Sequence, residues 1–143
     1  MKVLVTGASG FVGSALCAHL TAKGQAVVGA MRSIPDRPLP GVEYRVVTGL
    51  NVDTNWRESF TGANVVVHCA ARVHIMNETS INPLAEFRKV NVEGTACLAE
   101  QAAECGVKRF VYISSIKVNG EATSGCPFKA DDTPMPEDPY GIS

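Results

Sequence analysis

The sequence lacks the patterns that mark several common classes of protein. Its five cysteines are an odd number without C-x-x-C spacing, which favours buried free thiols in a reducing compartment over a disulfide framework. Thirteen basic and fourteen acidic residues nearly cancel, and no segment collects a run of Lys or Arg. We therefore expect neither nucleic acid nor an anionic membrane as a partner.

Long apolar runs are also missing. No stretch approaches the roughly 20 apolar residues of a membrane span, and the amino terminus reaches Gly7 too early for a signal peptide. These features favour a soluble, cytoplasmic protein. His19 faces out of a predicted helix and His74 lies in a loop, both without metal-ligand neighbours, so we expect no metal site.

A chain of 143 residues with 45% hydrophobic composition suits one domain with a real core. Apolar and β-branched runs predict strands at 2–6, 25–31, 42–47, 64–69 and 107–114. Helical spacing predicts helices at 11–23, at 53–60 with Asp53 or Thr54 as cap, and at 83–105. Three consecutive valines at 65–67 suit a strand covered on both faces.

Strands that alternate with helices predict an α/β fold of the doubly wound, Rossmann type, with a parallel sheet in the order 3-2-1-4-5. Ligands of such sheets bind beyond the carboxyl ends of the strands. We therefore expect the loops after Thr6, Met31, Cys69 and Ser114 to line one crevice.

The turn after the first strand is rich in glycine, since residues 6–13 read TGASGFVG. Gly7 permits the tight turn, Gly10 lets the backbone approach a pyrophosphate, and Gly13 lets helix and strand pack closely. The backbone amides of Gly10, Phe11, Val12 and Gly13, at a helix amino terminus, are candidates to bind the phosphates. A glycine-rich turn without a ligand is the alternative.

Four other segments carry motifs: 64–71 reads NVVVHCAA, 91–95 NVEGT, 112–120 YISSIKVNG and 138–143 DPYGIS. With the G-x-x-G-x-x-G turn, they resemble in order the signatures of the extended short-chain dehydrogenase/reductase family, over the whole chain. The resemblance implies an NAD(P)-binding domain with Ala70, Ala71 and Asn91 near the cofactor. Asn91 would kink the helix or bridge it to the active site through water, unless it only bonds a neighbouring backbone group.

The resemblance also implies a catalytic pair. Hydride transfer needs a proton moved at the sugar oxygen, and the family uses a tyrosine, a lysine four residues later and a strand-end serine or threonine. Matching Val118 and Gly120 to the family's V-Y-G makes Ser115 that serine rather than Ser114, and Tyr140 the tyrosine.

The lysine would follow Ser143 directly, so the chain is expected to be a truncated domain, residues 1–143, without its carboxy-terminal substrate domain. We expect such a fragment to be inactive by itself. Apolar surface left uncovered could also make it a homodimer.

The choice of cofactor depends on the end of the second strand. The family's acidic residue there, which selects NAD, is replaced by Met31, and Arg32 comes next. A forked cation suits the extra phosphate of NADP, so we favour NADP(H) over NAD.

Gly49 and Asn64 stand where relatives usually have aspartates. The aspartate at the position of Gly49 holds the adenine amino group in those relatives. His68 is expected to be a packed histidine rather than a catalytic one.

The two residues after Ser115 narrow the reaction class. Dehydratases of the family usually have an Asp-Glu pair there, whereas this chain has Ile116 and Lys117. Epimerisation or 4-keto reduction is left, and Arg32 favours reduction. Residues 71–78 and 115–120 resemble segments of epimerase-like proteins and 4-keto-reductases that act on UDP-sugars. This resemblance implies a nucleotide sugar of the UDP-hexose type as substrate. The alternative is a non-catalytic NAD(P)-binding module or an inert fragment.

Overall fold

The computed structural model describes residues 1–73, 80–123 and 125–143. In these ranges five parallel strands form one sheet in the order β3-β2-β1-β4-β5. They are β1 (Lys2–Thr6), β2 (Ala26–Met31), β3 (Val42–Val46), β4 (Val65–His68) and β5 (Arg109–Tyr112). Each strand lies within its predicted run, and the predicted fold and strand order are confirmed.

The helices are α1 (Phe11–Ala22), α2 (Pro83–Arg88), α3 (Thr95–Glu104) and α4 (Pro139–Ile142), with 3-10 turns at Arg57–Phe60 and Ile116–Val118. A π-helical segment, Lys89–Gly94, joins α2 to α3. The long helix predicted at 83–105 is therefore present but locally widened. No helix in the described ranges is long and apolar enough to cross a membrane.

The helix predicted at 53–60 is wrong in its first half, because only Arg57–Phe60 is helical and neither Asp53 nor Thr54 caps it. The Thr54 hydroxyl instead lies 3.1 Å from both the Gly49 carbonyl and Asn51 Oδ1. Side chains of this kind compete with helix formation by bonding nearby groups in turns. The segment therefore folds back as a loop before the 3-10 turn.

The core lies on both faces of the sheet, since successive side chains of a strand point to opposite faces. On β1, Leu4 faces one side and Val3 and Val5 the other. The first face also buries Val28, Ala30, Trp56, Phe60, Ala63, Val66, Leu98 and Ala102. The second buries Ala8, Cys17, Val27 and Met31. This two-sided burial explains the absence of alternation in the valine run of β4.

All five cysteines are free thiols, as expected, but their burial varies. Cys17 is buried, and burial raises its pKa to about 11. Cys105 and Cys126 are exposed, so the expectation of buried thiols is wrong for these two.

Candidate functional site

The carboxyl ends of β1 to β4 open onto a cleft of about 840 Å³. Its walls come from residues within 7–13, 30–32, 47–51 and 69–73, with Trp56 and, from the long helix, Glu86, Lys89 and Val90. The loops after Thr6, Met31 and Cys69 meet there as predicted. The loop after Ser114 does not line this cleft, and the segment after β3 takes part instead.

The glycine turn fits a pyrophosphate. Gly7 has a φ of 66° and a Cβ there would lie 2.8 Å from the Ala70 amide nitrogen, while a Cβ at Gly13 would overlap the Gly7 carbonyl. At Gly10 a Cβ would meet only the Gly7 oxygen, at 3.2 Å. Because α1 begins at Phe11, the unpaired N–H groups of its first turn lie beside this open space. All the glycine-turn candidates, Gly7, Gly10, Phe11, Val12 and Gly13, line the cleft.

The end of β4 is held to the end of β1 by a buried polar chain. The Thr6 hydroxyl accepts a hydrogen bond from the Ala70 amide at 3.2 Å and lies 2.6 Å from His68 Nδ1. His68 Nε2 lies 3.0 Å from the Thr95 hydroxyl. Burial lowers the pKa of His68 to about 4. His68 is thus a packed, neutral, hydrogen-bonded residue, as expected from the sequence, and it supports Ala70 and Ala71 at the cleft wall.

Asn91 lies in the π-helical segment and is buried. Its Oδ1 accepts from the Arg72 amide at 2.8 Å, and its Nδ2 donates to the Arg72 carbonyl at 3.0 Å and to the Ser143 hydroxyl at 2.8 Å. The Arg72 guanidinium lies 5.2 Å from the centre of the Phe87 ring. Asn91 therefore holds the backbone of the cleft-lining loop after β4, without lining the cleft itself.

Ser115 and Tyr140 lie on segments that pack against each other. Ser115 caps the 3-10 turn, and its hydroxyl accepts from the Lys117 amide at 3.3 Å. A Cβ at Gly141, next to Tyr140, would lie 2.7 Å from the Lys117 carbonyl. The Tyr140 ring is 6.2 Å from that of Phe87. The segments that carry the two candidate catalytic residues thus pack together, although neither residue is among those that line the cleft.

Arg32 is an exposed residue that lines the cleft. It follows directly after the buried Met31 at the end of β2. Within the described part of the chain its guanidinium makes no ion pair or hydrogen bond. Its charge is therefore available to an anion beside the end of β2.

Several residues that line the cleft were not predicted from the sequence, chiefly Trp56, Arg72 and Lys89. A tryptophan in a polar segment after the third strand was an available signal for the first. Within residues 1–73, 80–123 and 125–143, no group of three His, Cys, Asp or Glu side chains could hold a metal ion. His74 lies outside the described residues.

The model of the NAD dependent epimerase/dehydratase family matches residues 3–143. UDP-glucose 4-epimerase of Vibrio cholerae is 46% identical over 144 residues, covering 99% of this chain and 43% of that protein. Two solved structures cover 99% of the chain. MoeE5 in complex with UDP-glucuronic acid and NAD is 35% identical with a TM-score of 0.78, and 45% of it is covered. A short-chain dehydrogenase/reductase superfamily protein from Agrobacterium tumefaciens with bound NAD is 32% identical with a TM-score of 0.77, and 41% of it is covered.

The chain therefore belongs to the NAD-dependent epimerase/dehydratase family, which confirms the resemblance to the extended short-chain dehydrogenases/reductases. It spans less than half the length of these three relatives.

The burial of His68 predicts a specific pH dependence of stability. Its pKa is about 4 in the folded chain against 6.5 ordinarily, so the unfolded chain binds the proton first as the pH falls. The free energy of unfolding should then drop by about 3 kcal/mol from this group alone between pH 6.5 and 4. Urea unfolding across that range should show a flatter pH dependence for His68→Gln than for the unsubstituted chain. Identical pH dependence of the two would contradict the buried, neutral state.

Proposed function

We propose that this chain is the cofactor-binding domain of an NAD(P)-dependent enzyme that epimerises a nucleotide sugar of the UDP-hexose type or reduces its 4-keto form. Four strand-end loops converge on one cleft, and the glycine turn there leaves room for a pyrophosphate, which is the main support for this function. The relatives support the substrate class, since one is named a UDP-glucose 4-epimerase and another is complexed with UDP-glucuronic acid.

When bound, the nicotinamide dinucleotide would accept or donate a hydride. Tyr140 would move the proton at the sugar oxygen, and the Ser115 hydroxyl would donate a hydrogen bond to that oxygen. Asn91 would position both the cofactor-side loop and the tyrosine helix. Its side chain is hydrogen-bonded to the Arg72 backbone and to the hydroxyl of Ser143, three residues after Tyr140.

Lys117 supports the preference for epimerisation or reduction over dehydration. Elimination needs an additional acid and base near the catalytic serine, and Lys117 is a cation instead. Its Nζ pairs with Glu121 and lies 3.5 Å from Asp138 Oδ2. Asp138 Oδ1 in turn accepts from the Gly141 amide at 2.6 Å and caps α4. Lys117 therefore ties the serine loop to the tyrosine helix, which is a positioning role rather than an acid–base one.

The second candidate is a module that binds the dinucleotide without turnover, and the observation that favours it is length. The three relatives are more than twice as long as the matched region. We infer that these 143 residues hold the cofactor half of the site, and that a region corresponding to the rest of the relatives' length would supply the substrate half. The positioning energy that a substrate domain supplies can lower a barrier by about 7 to 11 kcal/mol.

Turnover measurements test whether the 143 residues bind the cofactor without catalysing the reaction. We expect the isolated 143 residues to be inert, and the complete gene product to convert UDP-hexoses or their 4-keto derivatives with NAD or NADP. In the complete product, Tyr140→Phe should abolish turnover while leaving dinucleotide affinity unchanged, since only the proton-transfer hydroxyl is lost. Comparable turnover from the isolated 143 residues and the complete gene product would contradict the proposal.

A second test measures whether Arg32 gives the chain a preference for NADP over NAD. We propose that its unpaired guanidinium binds the 2′-phosphate of NADP(H), because Met31 supplies no carboxylate for the ribose hydroxyls of NAD. Charge-assisted hydrogen bonds are worth roughly 1.5 to 3 kcal/mol, which is about tenfold or more in affinity. Calorimetry should show that Arg32→Ala weakens NADP binding by that factor and leaves NAD binding nearly unchanged.

Two controls accompany this measurement. Arg109→Ala removes the same side chain at the amino end of β5, three strands away from β2, and should change neither affinity. Gly10→Val fills the open space above the turn and should abolish binding of both dinucleotides. Equal or tighter binding of NAD by the unsubstituted chain would overturn the NADP preference.

A further inference from the structure

The loop between β2 and β3, residues 32–41, is held to the rest of the fold at one residue. All of this loop lies in the described part of the chain, and Leu39 alone in it makes hydrogen bonds. The Leu39 amide donates to the Tyr44 hydroxyl at 2.9 Å, and the Leu39 carbonyl accepts from the Val42 amide at 3.3 Å. The Tyr44 hydroxyl is therefore the one side-chain group that anchors the loop by a hydrogen bond.

Tyr44 reaches the loop because the neighbouring strand leaves room for its ring. It pairs with Gly29 of β2, and a Cβ at Gly29 would lie 3.2 Å from the Tyr44 ring. The ring therefore lies over β2. Both Tyr44 and Leu39 also pack against the second apolar cluster of the sheet, so the donor and the acceptor of this hydrogen bond rest on the same rigid surface.

Arg32 stands at the first position of this loop, and its guanidinium is exposed. Two prolines, Pro35 and Pro38, restrict the backbone between Arg32 and Leu39. Fixing Leu39 thus limits the positions that Arg32 can sample. A loop that is already ordered costs less free energy to order when a ligand binds. The Tyr44 hydroxyl therefore lowers the cost of holding Arg32 against an anion.

We propose that Tyr44 is a positioning residue for the choice of cofactor: its hydroxyl anchors the loop and thereby holds Arg32 where it meets the 2′-phosphate of NADP(H). The inference rests on the proposed role of Arg32 and adds a second residue to it. Tyr44 is not among the residues that line the cleft, so it acts through the loop. Loss of its hydroxyl should affect NADP selectively, because NAD lacks the phosphate that Arg32 meets.

Tyr44→Phe removes the hydroxyl and keeps the ring. In this variant we expect the Leu39 amide to exchange faster with deuterium, measured by NMR without cofactor, since it has lost its acceptor. Calorimetry should show NADP binding weakened about 2- to 10-fold, as expected for one lost hydrogen bond, and NAD binding nearly unchanged. Tyr112→Phe is the matched control, because it removes the hydroxyl of an exposed tyrosine on the other edge strand, β5, and should change none of these quantities.

A double-mutant cycle distinguishes this positioning role from a general loss of structure. If Tyr44 acts through Arg32, Tyr44→Phe should leave NADP affinity unchanged in a chain that already carries Arg32→Ala. An equal loss in both backgrounds would overturn the proposal.

A measurement on the unsubstituted chain stands even if Tyr44→Phe does not fold. Because coupling between two binding events is reciprocal, NADP should slow exchange of the Leu39 amide, whereas NAD should leave it nearly unchanged. Equal slowing by the two cofactors, or a Leu39 amide that exchanges like an unprotected one without cofactor, would contradict the anchoring role.

The outcomes separate this inference from the proposed function. If Arg32→Ala weakens NADP binding but Tyr44→Phe does not, or if Tyr44→Phe weakens NADP and NAD binding equally, the role of Tyr44 is wrong and the Arg32 site stands. If Arg32→Ala leaves NADP affinity unchanged, the 2′-phosphate site fails, and the inference with it.

Discussion

The close approach of three backbone segments is the constraint on which the rest of the site depends. The turn after β1 lies against the end of β4 at Gly7 and against the start of α1 at Gly13, and at both positions a side chain would collide with backbone atoms. The buried Thr6 hydroxyl reinforces the first of these contacts through Ala70. Because the segments are this close, the first turn of α1 and the loop after β4 face the same space, and a pyrophosphate can reach backbone N–H groups.

The long helical segment from α2 to α3 positions the loops that form the other walls of the cleft. Its π-helical segment places Asn91 against the backbone of Arg72. Further along, the Gln101 side chain is hydrogen-bonded to the Thr54 carbonyl and to the Trp56 amide. A Cβ at Gly94 would lie 2.8 Å from the Leu50 backbone, so the helix also packs directly on the loop after β3. One element thereby positions the loops after two different strands, at the two ends of the cleft.

Much of the fold could be predicted from the sequence because its signals are local: β-branched runs mark the strands, and glycines mark the turn after β1. The features that could not be predicted depend on partners far along the chain. The segment at 53–56 is a loop rather than a helix because Thr54 bonds Gly49 and its carbonyl pairs with Gln101. The motifs predict Ser115 and Tyr140 as catalytic residues, but the packing of their segments depends on the close approach of Gly141 to the Lys117 carbonyl, which is not visible in the sequence.

We propose that a nicotinamide dinucleotide binds at the carboxyl edge of this sheet, along the line from Arg32 over the glycine turn to Ala71. An amide NMR titration of the chain with NADP tests it most directly, because every loop of the cleft has its own resonances. We expect the largest shifts at residues 7–13, at Arg32 and in the loops at 48–51 and 70–73. Shifts confined to the amino ends of the strands, near Ala26, Val42 and Arg109, or no shifts at all, would contradict it.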